Sequence, residues 1–218
     1  MYYSTSFSGT ENPISESGNW INGLVVGLDW QDVQKTPGLA FGDAATPSGY
    51  SDPTAIVAGA WGPNHYVETV IYNNISGGDV GEFEIRLRTT ITAHSITGYE
   101  LLWDSSGTFQ LVRWNGPVED FTLLSGTLHS AFGSPVTGDV FKGDVGSDNQ
   151  IRIYKNGVLK YTGDADSTYT TGSPGIGFFR RSGAMSDFGF SSFLASDGTL
   201  LNTLKKSGML SFFLQRTK

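Results

Sequence analysis

The dipeptide Asn156-Gly157 constrains this chain more than any other feature. It lies within IRIYKNGVLKYT, residues 151–162, between two runs of β-branched, aromatic and aliphatic side chains. A type I′ turn needs positive φ at both central residues, and Asn-Gly supplies that at the lowest steric cost. The segment therefore predicts a tight β-hairpin. Comparable runs recur along the chain, among them Tyr2–Phe7, Leu24–Trp30, His65–Tyr72, Gly81–Thr92, Gly98–Trp103, Thr108–Trp114, Ser173–Phe179 and Met185–Leu194. Turn residues separate them, as in Ser105-Ser106-Gly107 and Asn115-Gly116-Pro117. Many short strands at close spacing predict an all-β sandwich or barrel. No fixed-period repeat is present, which disfavours solenoids and propellers.

The clearest alternation is GEFEIRLRTT, residues 81–90. Phe83, Ile85 and Leu87 point one way and Glu82, Glu84, Arg86 and Arg88 the other, so one face belongs to the core and the other to solvent. A row of two acids and two bases predicts cross-strand partners of opposite sign.

Composition narrows the function classes. The formal net charge is −7 and no basic stripe exists, which argues against nucleic acid as a partner. No run of 18 apolar residues is present, so no membrane insertion is predicted. The chain has no cysteine, which excludes thiolate catalysis and zinc–thiolate sites. The opening MYYSTSFSGTENP lacks a basic-then-apolar leader segment.

From residue 139 the chain reads GDVFKGDVGSDNQIRIYKNGVLKYTGDAD, then YTTGSPGIGFF, then DFGFSSFLASD. Together with the opening TSFSGTENPISESGNW, this resembles the concanavalin A-like lectin/glucanase superfamily, in particular laminin-G-like bacterial jelly-roll domains. The shared order is a Gly-Asp strand, an apolar strand, an Asn-Gly hairpin, an Asp-rich turn, a Gly-x-x-Gly-Ile-type strand and a final Asp-Phe strand. The resemblance spans residues 3–197. It implies an all-β, two-sheet antiparallel jelly-roll sandwich with one concave sheet, over residues 1–197. Residues 198–218 then form a C-terminal tail or short extra element. It also implies an extracellular or cell-surface protein whose leader is not in this sequence, either a monomer or part of a larger chain.

In relatives that act on sugars the ligand crosses the concave sheet, so a polysaccharide or oligosaccharide is the partner implied. The residues expected to line that face are Glu84, Arg86, Arg88, Glu100, Trp103, Arg113 and Arg180. Arg113 and Trp114 alternate, and Arg113 is the one assigned to the groove. No cofactor is required. A structural Ca²⁺ outside the groove is compatible with the superfamily, and Asp164, Asp166 and Asp187 are its candidate ligands, although Asp-x-Asp after a hairpin is also ordinary turn chemistry.

Catalytic patterns are incomplete. Retaining glucanases of the superfamily carry Glu-x-Asp-x-x-Glu on a concave strand, with carboxyls about 5 Å apart. No Glu-x-Asp occurs here, and Glu84 with Glu100 is the nearest substitute pair. Alginate-type lyases use an Arg-rich strand, Gln-x-His and Tyr-x-Lys. Only the first has an echo, in Arg86 and Arg88, with Arg113 as a further cation. His65, His94 and His129 fall in loops or at strand ends. The sequence thus reads as a glycan-binding module. A glycoside hydrolase or polysaccharide lyase with an atypical site is the alternative, and a structural or adhesive surface domain is the third reading.

Overall fold

A computed structural model describes residues 1–45, 52–76, 78–126 and 132–198. The tail beyond residue 198 and His129 lie outside the described residues. The strands are β1 (Tyr2–Thr5), β2 (Trp20–Asn22), β3 (Val33–Thr36), β4 (Leu39–Gly42), β5 (Thr54–Val57), β6 (His65–Asn73), β7 (Gly81–Thr92), β8 (Ser95–Asp104), β9 (Phe109–Gly116), β10 (Phe121–Leu123), β11 (Val140–Val145), β12 (Ile151–Lys155), β13 (Val158–Thr162), β14 (Ser173–Arg180) and β15 (Phe188–Ser196). They form two antiparallel sheets. An eight-stranded sheet runs β13-β12-β11-β6-β15-β4-β3, with β1 also paired to β15, and a seven-stranded sheet runs β10-β9-β8-β7-β14-β5-β2.

The predicted hairpin is β12–β13. Asn156 and Gly157 take φ of 52° and 77°, and Lys155 pairs with Val158 to close the turn. The alternation of β7 also holds. Phe83, Ile85 and Leu87 are fully buried between the sheets. Phe83 and Phe178 meet Phe188 and Phe190 of the opposite sheet with ring centroids 5.1 to 6.0 Å apart. Fully burying one such ring contributes about 1.5–3 kcal/mol, so this aromatic layer is a main tie between the sheets.

Three expectations need correction. First, Leu24–Trp30 is not a strand. Gly23–Val26 forms a single helical turn, α1, because the Leu24 and Val25 amides donate to the Asp32 carboxylate at 2.8 and 3.3 Å and Gly27 closes the turn at φ 92°. Leu28 and Trp30 then lie on the outer face of the seven-stranded sheet, packed with Ile56, Ile91, Ile96, Val112 and Trp114. Second, the charged side of β7 is not solvated. Glu84 and Arg86 are fully buried there, with the Trp30 ring over the Arg86 guanidinium at 5.2 Å. Third, Arg88 leaves the row. A bulge shifts the register between Leu87 and Thr90, and Arg88 adopts φ 47°. The bulge is flanked by Gly98 (φ 125°) and Gly172 (φ 132°), where any Cβ would collide with the backbone at Arg88 and Thr89. Glycine on β8 and just before β14 is thus what gives the bulge room.

Candidate functional site

Strand register places the outer face of the seven-stranded sheet in transverse rows. One row carries Thr54, Gly177, Glu84, Leu102 and Gln110, and the next Ile56, Gly175, Arg86, Glu100 and Val112. Phe179, Glu82 and Asp104 form the row on one side, and Gly98, Trp114 and Phe121 the row on the other. Between these rows opens a cavity of about 220 Å³ lined by Asp52, Glu82, Glu100, Leu102, Gln110, Val112, Trp114, Phe121, Phe179 and Arg181.

Beneath it lies a buried ion cluster. Arg86 donates to both Glu84 and Glu100, and at 3.0 Å to the Thr54 hydroxyl. The Trp114 indole N–H donates to Glu100 at 2.6 Å, which fixes the ring beside the cavity. Trp30 meets Trp114 edge-on at 4.6 Å. One oxygen from each of Asp52, Glu84 and Glu100 lies within 4.8 Å of the others. Such a triad could offer hard ligands to a cation, but Arg86 already bridges two of the three. Among the described residues, the Oε1 atom of Glu84 is buried without any partner.

Three acids around one guanidinium cannot all stay charged cheaply in a site shielded from water. Burial first, then the Glu100 charge, pushes the carboxyls of Asp52 and Glu84 well above the usual range, with Arg86 only partly offsetting this. Glu82 is raised well above its usual value too, by burial and then by Asp52, Glu100 and Asp104. Burial opposes the Arg86 charge, but Glu100, Glu84 and Asp52 together hold its pKa above the ordinary value. Chemically, the face offers carboxyls that burial and neighbouring acids make reluctant to ionise, beside aromatic rings.

Of the seven residues expected on this face, the structure brings together Glu84, Arg86 and Glu100. The other four sit elsewhere. Trp103 belongs to the core between the sheets, fully buried, its indole N–H donating to the Gly133 carbonyl at 2.9 Å. Arg113 shares the inward side of β9 with Phe109 and Leu111 and donates to Asp166 at 2.5 Å, so Trp114, not Arg113, faces the cavity. Arg180 turns inward to Asp79 at 2.8 Å and Asp187 at 2.9 Å, and its neighbour Arg181 lines the cavity instead. Arg88 reaches loop carbonyls at the end of the sandwich. Parity explains these differences. Glu100 and Trp103 are three apart on one strand, so they cannot share a face. Applying the parity of Glu82 and Glu100 across β9 and β14 points to Gln110, Trp114, Phe179 and Arg181. Asp52 precedes its strand and carries no such signal.

The proposed calcium ligands do not converge. Asp166 accepts from Tyr99, Arg113 and Thr168, Asp187 is committed to Arg180, and Asp164 is exposed. Lowered pKa at Asp166, where those hydrogen bonds outweigh burial, fits an internal anion already matched by protein donors.

No family model and no curated protein match the sequence. Solved structures do match the fold. The carbohydrate binding module CBM66 from Bacillus subtilis aligns with a TM-score of 0.55 at 16% identity, over 84% of this chain and 96% of that one. The chain has the concanavalin A-like lectin/glucanase fold. A native glycosidic hydrolase aligns at 0.54 and 14% identity over 90% and 95% of the two chains. The Bacillus licheniformis beta-glucanase aligns at 0.51 and 15% identity over 89% and 97%. At these identities the likeness concerns the fold alone, and this fold serves binding and catalysis alike. Among the described residues, no helix is long and apolar enough to cross a membrane.

Proposed function

We propose that this chain is a carbohydrate-binding module whose ligand seats in the cavity on the outer face of the seven-stranded sheet. The observation that carries the reading is the lining itself, where Trp114, Phe121 and Phe179 stand beside Glu82, Gln110 and Arg181. Sugar rings stack their C–H faces on aromatic side chains, while convergent polar groups bind the hydroxyls. The similar carbohydrate binding module supports the reading. An extracellular setting, as a monomer or part of a larger chain, goes with it.

Binding rather than turnover is favoured by Glu84 and Glu100. Both are held by Arg86, and Glu84 does not reach the cavity. The lyase reading loses its cation cluster, because Arg86, Arg88 and Arg113 occupy three separate places. A hydrolase reading retains one supporting observation. Asp52 and Glu82 line the cavity beside Glu100 with pKa values raised first by burial, and an acid of raised pKa near a second carboxyl is what glycoside hydrolysis uses.

Calorimetric titration with neutral, amino and acidic oligosaccharides tests both readings. At least one member should bind. Phe179→Ala and Phe121→Ala should each weaken that binding by about tenfold or more with the unfolding midpoint retained. Silence across the whole panel would refute the reading, and release of reducing ends from the same mixtures would convert it to the hydrolase.

A further inference from the structure

The charge on this face selects among glycans. Five carboxyls, those of Asp52, Glu82, Glu84, Glu100 and Asp104, act on one another across the cavity and its floor, against the guanidiniums of Arg86 and Arg181. Arg86 is fully buried and committed to Glu84 and Glu100, so it cannot meet a ligand. Among the described residues, Arg181 alone is a cavity-lining cation. Asp52 is the independent sign of an unmet demand. It lines the cavity, is only 5% exposed, and takes no hydrogen bond from any described residue. A buried carboxyl without a donor is costly, and a cation supplied by a ligand would relieve it.

From this geometry we infer that the cavity selects a glycan bearing a protonated amine, that is, a 2-amino sugar with a free ammonium. The inference rests on the carbohydrate-binding reading above and specifies its ligand class. A neutral sugar would leave the Asp52 carboxyl without a cation, and a uronic acid would bring a further carboxyl to the same wall. An ammonium within reach of Asp52 and Glu82 gains charge-assisted hydrogen bonds. It also faces the aromatic wall of Trp114, Phe121 and Phe179, where a desolvated cation is attracted to the ring faces. The raised pKa values of Asp52 and Glu82 are in keeping with this. Burial first, and then neighbouring carboxyls, raise both, Arg86 and Arg181 offset this only in part, and a bound ammonium would pull both back down.

The experiment compares four probes on the intact protein: a glucosamine tetramer, its fully N-acetylated form, a neutral glucan tetramer and a lysine-rich peptide. The free-amine tetramer should bind about tenfold or more tighter than the acetylated and neutral forms. Its affinity should fall between about 50 mM and about 500 mM salt, while any neutral binding stays flat. Glu82→Gln, a partly exposed wall position, should lower the ratio of amine to neutral affinity to near one, and Asp52→Asn should act in the same direction. Equal affinity for amine and neutral tetramers would overturn the inference and leave the carbohydrate-binding reading intact. The same holds for a preference for the acetylated form. Peptide binding as tight as the oligosaccharide would overturn it as well, since the site would then recognise amines generally. No binding of any sugar would remove the underlying reading and the inference with it.

Discussion

Arg86 and Arg88 are two residues apart on one strand, both almost wholly buried, and their surroundings are opposite in kind. Arg86 sits among carboxyls, with more negative charge nearby than it can balance. Arg88 sits among neutral oxygens. It donates to the carbonyls of Pro63 at 2.7 Å, Tyr169 at 3.1 Å and Gly146 at 3.3 Å, and to the Asn149 side chain at 2.8 Å. Its pKa is lowered by burial, as expected for a cation with no anion beside it. The first arrangement leaves titratable groups around a cavity. The second ties three loops to one strand and has no carboxyl to titrate. One alternation rule would have given these residues the same role, and a single bulged residue separated them.

The largest expected effect tests that contrast directly. Arg86→Met and Arg88→Met should each destabilise the protein by about 3–5 kcal/mol near pH 7.5, the usual cost of deleting one partner from a buried charged network. Their pH responses should differ. Without Arg86, the carboxyls can take up protons, so the penalty relative to wild type should shrink by more than about 1 kcal/mol near pH 5. Without Arg88, the orphaned acceptors are carbonyls, and the penalty should hold. Urea unfolding of the three proteins at both pH values decides it, and parallel responses would show that the two environments are not distinct.

The next effect comes from the neighbour of Arg88. The Arg88 backbone N–H donates to the Nε2 atom of His65 at 3.1 Å, and the His65 Nδ1–H donates to the Gly62 carbonyl at 2.9 Å. The ring is therefore held neutral, and burial above all lowers its pKa from 6.5 to about 4. A histidine with a depressed folded pKa contributes stability that is present above its unfolded pKa. That stability is lost as pH falls from 6.5 toward 4, about 3 kcal/mol for this shift. The raised carboxyls around Arg86 have the opposite sign, since they favour the folded state less as pH rises above the ordinary carboxylate range. The two ends of β7 thus oppose each other in acid. His65→Asn keeps a donor for Gly62 and removes the titration, so its stability relative to wild type should rise by about 3 kcal/mol between pH 7 and pH 4. A constant difference would show that His65 is not the acid-sensitive group.

How far the sequence carried these conclusions depends on how local each signal was. The hairpin at Asn156-Gly157 and the inward set Phe83, Ile85 and Leu87 were legible because turn chemistry and period-two alternation are properties of neighbouring residues. The glycan-facing assignment of Trp103, Arg113 and Arg180 failed on parity, since one face cannot hold both Glu100 and Trp103. The burial of Glu84 and Arg86 could not be read at all from β7. It depends on Trp30 and Asp52, which arrive from segments far away in the chain. Arg88 was misplaced because the residues that permit its bulge, Gly98 on β8 and Gly172 just before β14, lie outside its own strand.

The smallest expected effect sharpens the same comparison from the sheet side. Gly177 lies between Thr54 and Glu84 in its row, and a Cβ there would press into the Glu84 carboxylate and come within 2.7 Å of the Arg86 guanidinium. The backbone at Gly177 is ordinary strand, so the demand for glycine comes from the ion cluster rather than from conformation. Gly177→Ala should therefore cost about 1–3 kcal/mol, as overpacking does. The loss should be largely additive with Arg88→Met and strongly non-additive with Arg86→Met, because only the latter removes the group that the methyl displaces. A double-mutant cycle measured by urea unfolding gives both coupling energies. Equal coupling to the two arginines would mean that the glycine serves the strand rather than the cluster. The proposed division of β7 into a titratable half and a clamping half would then lose its structural basis.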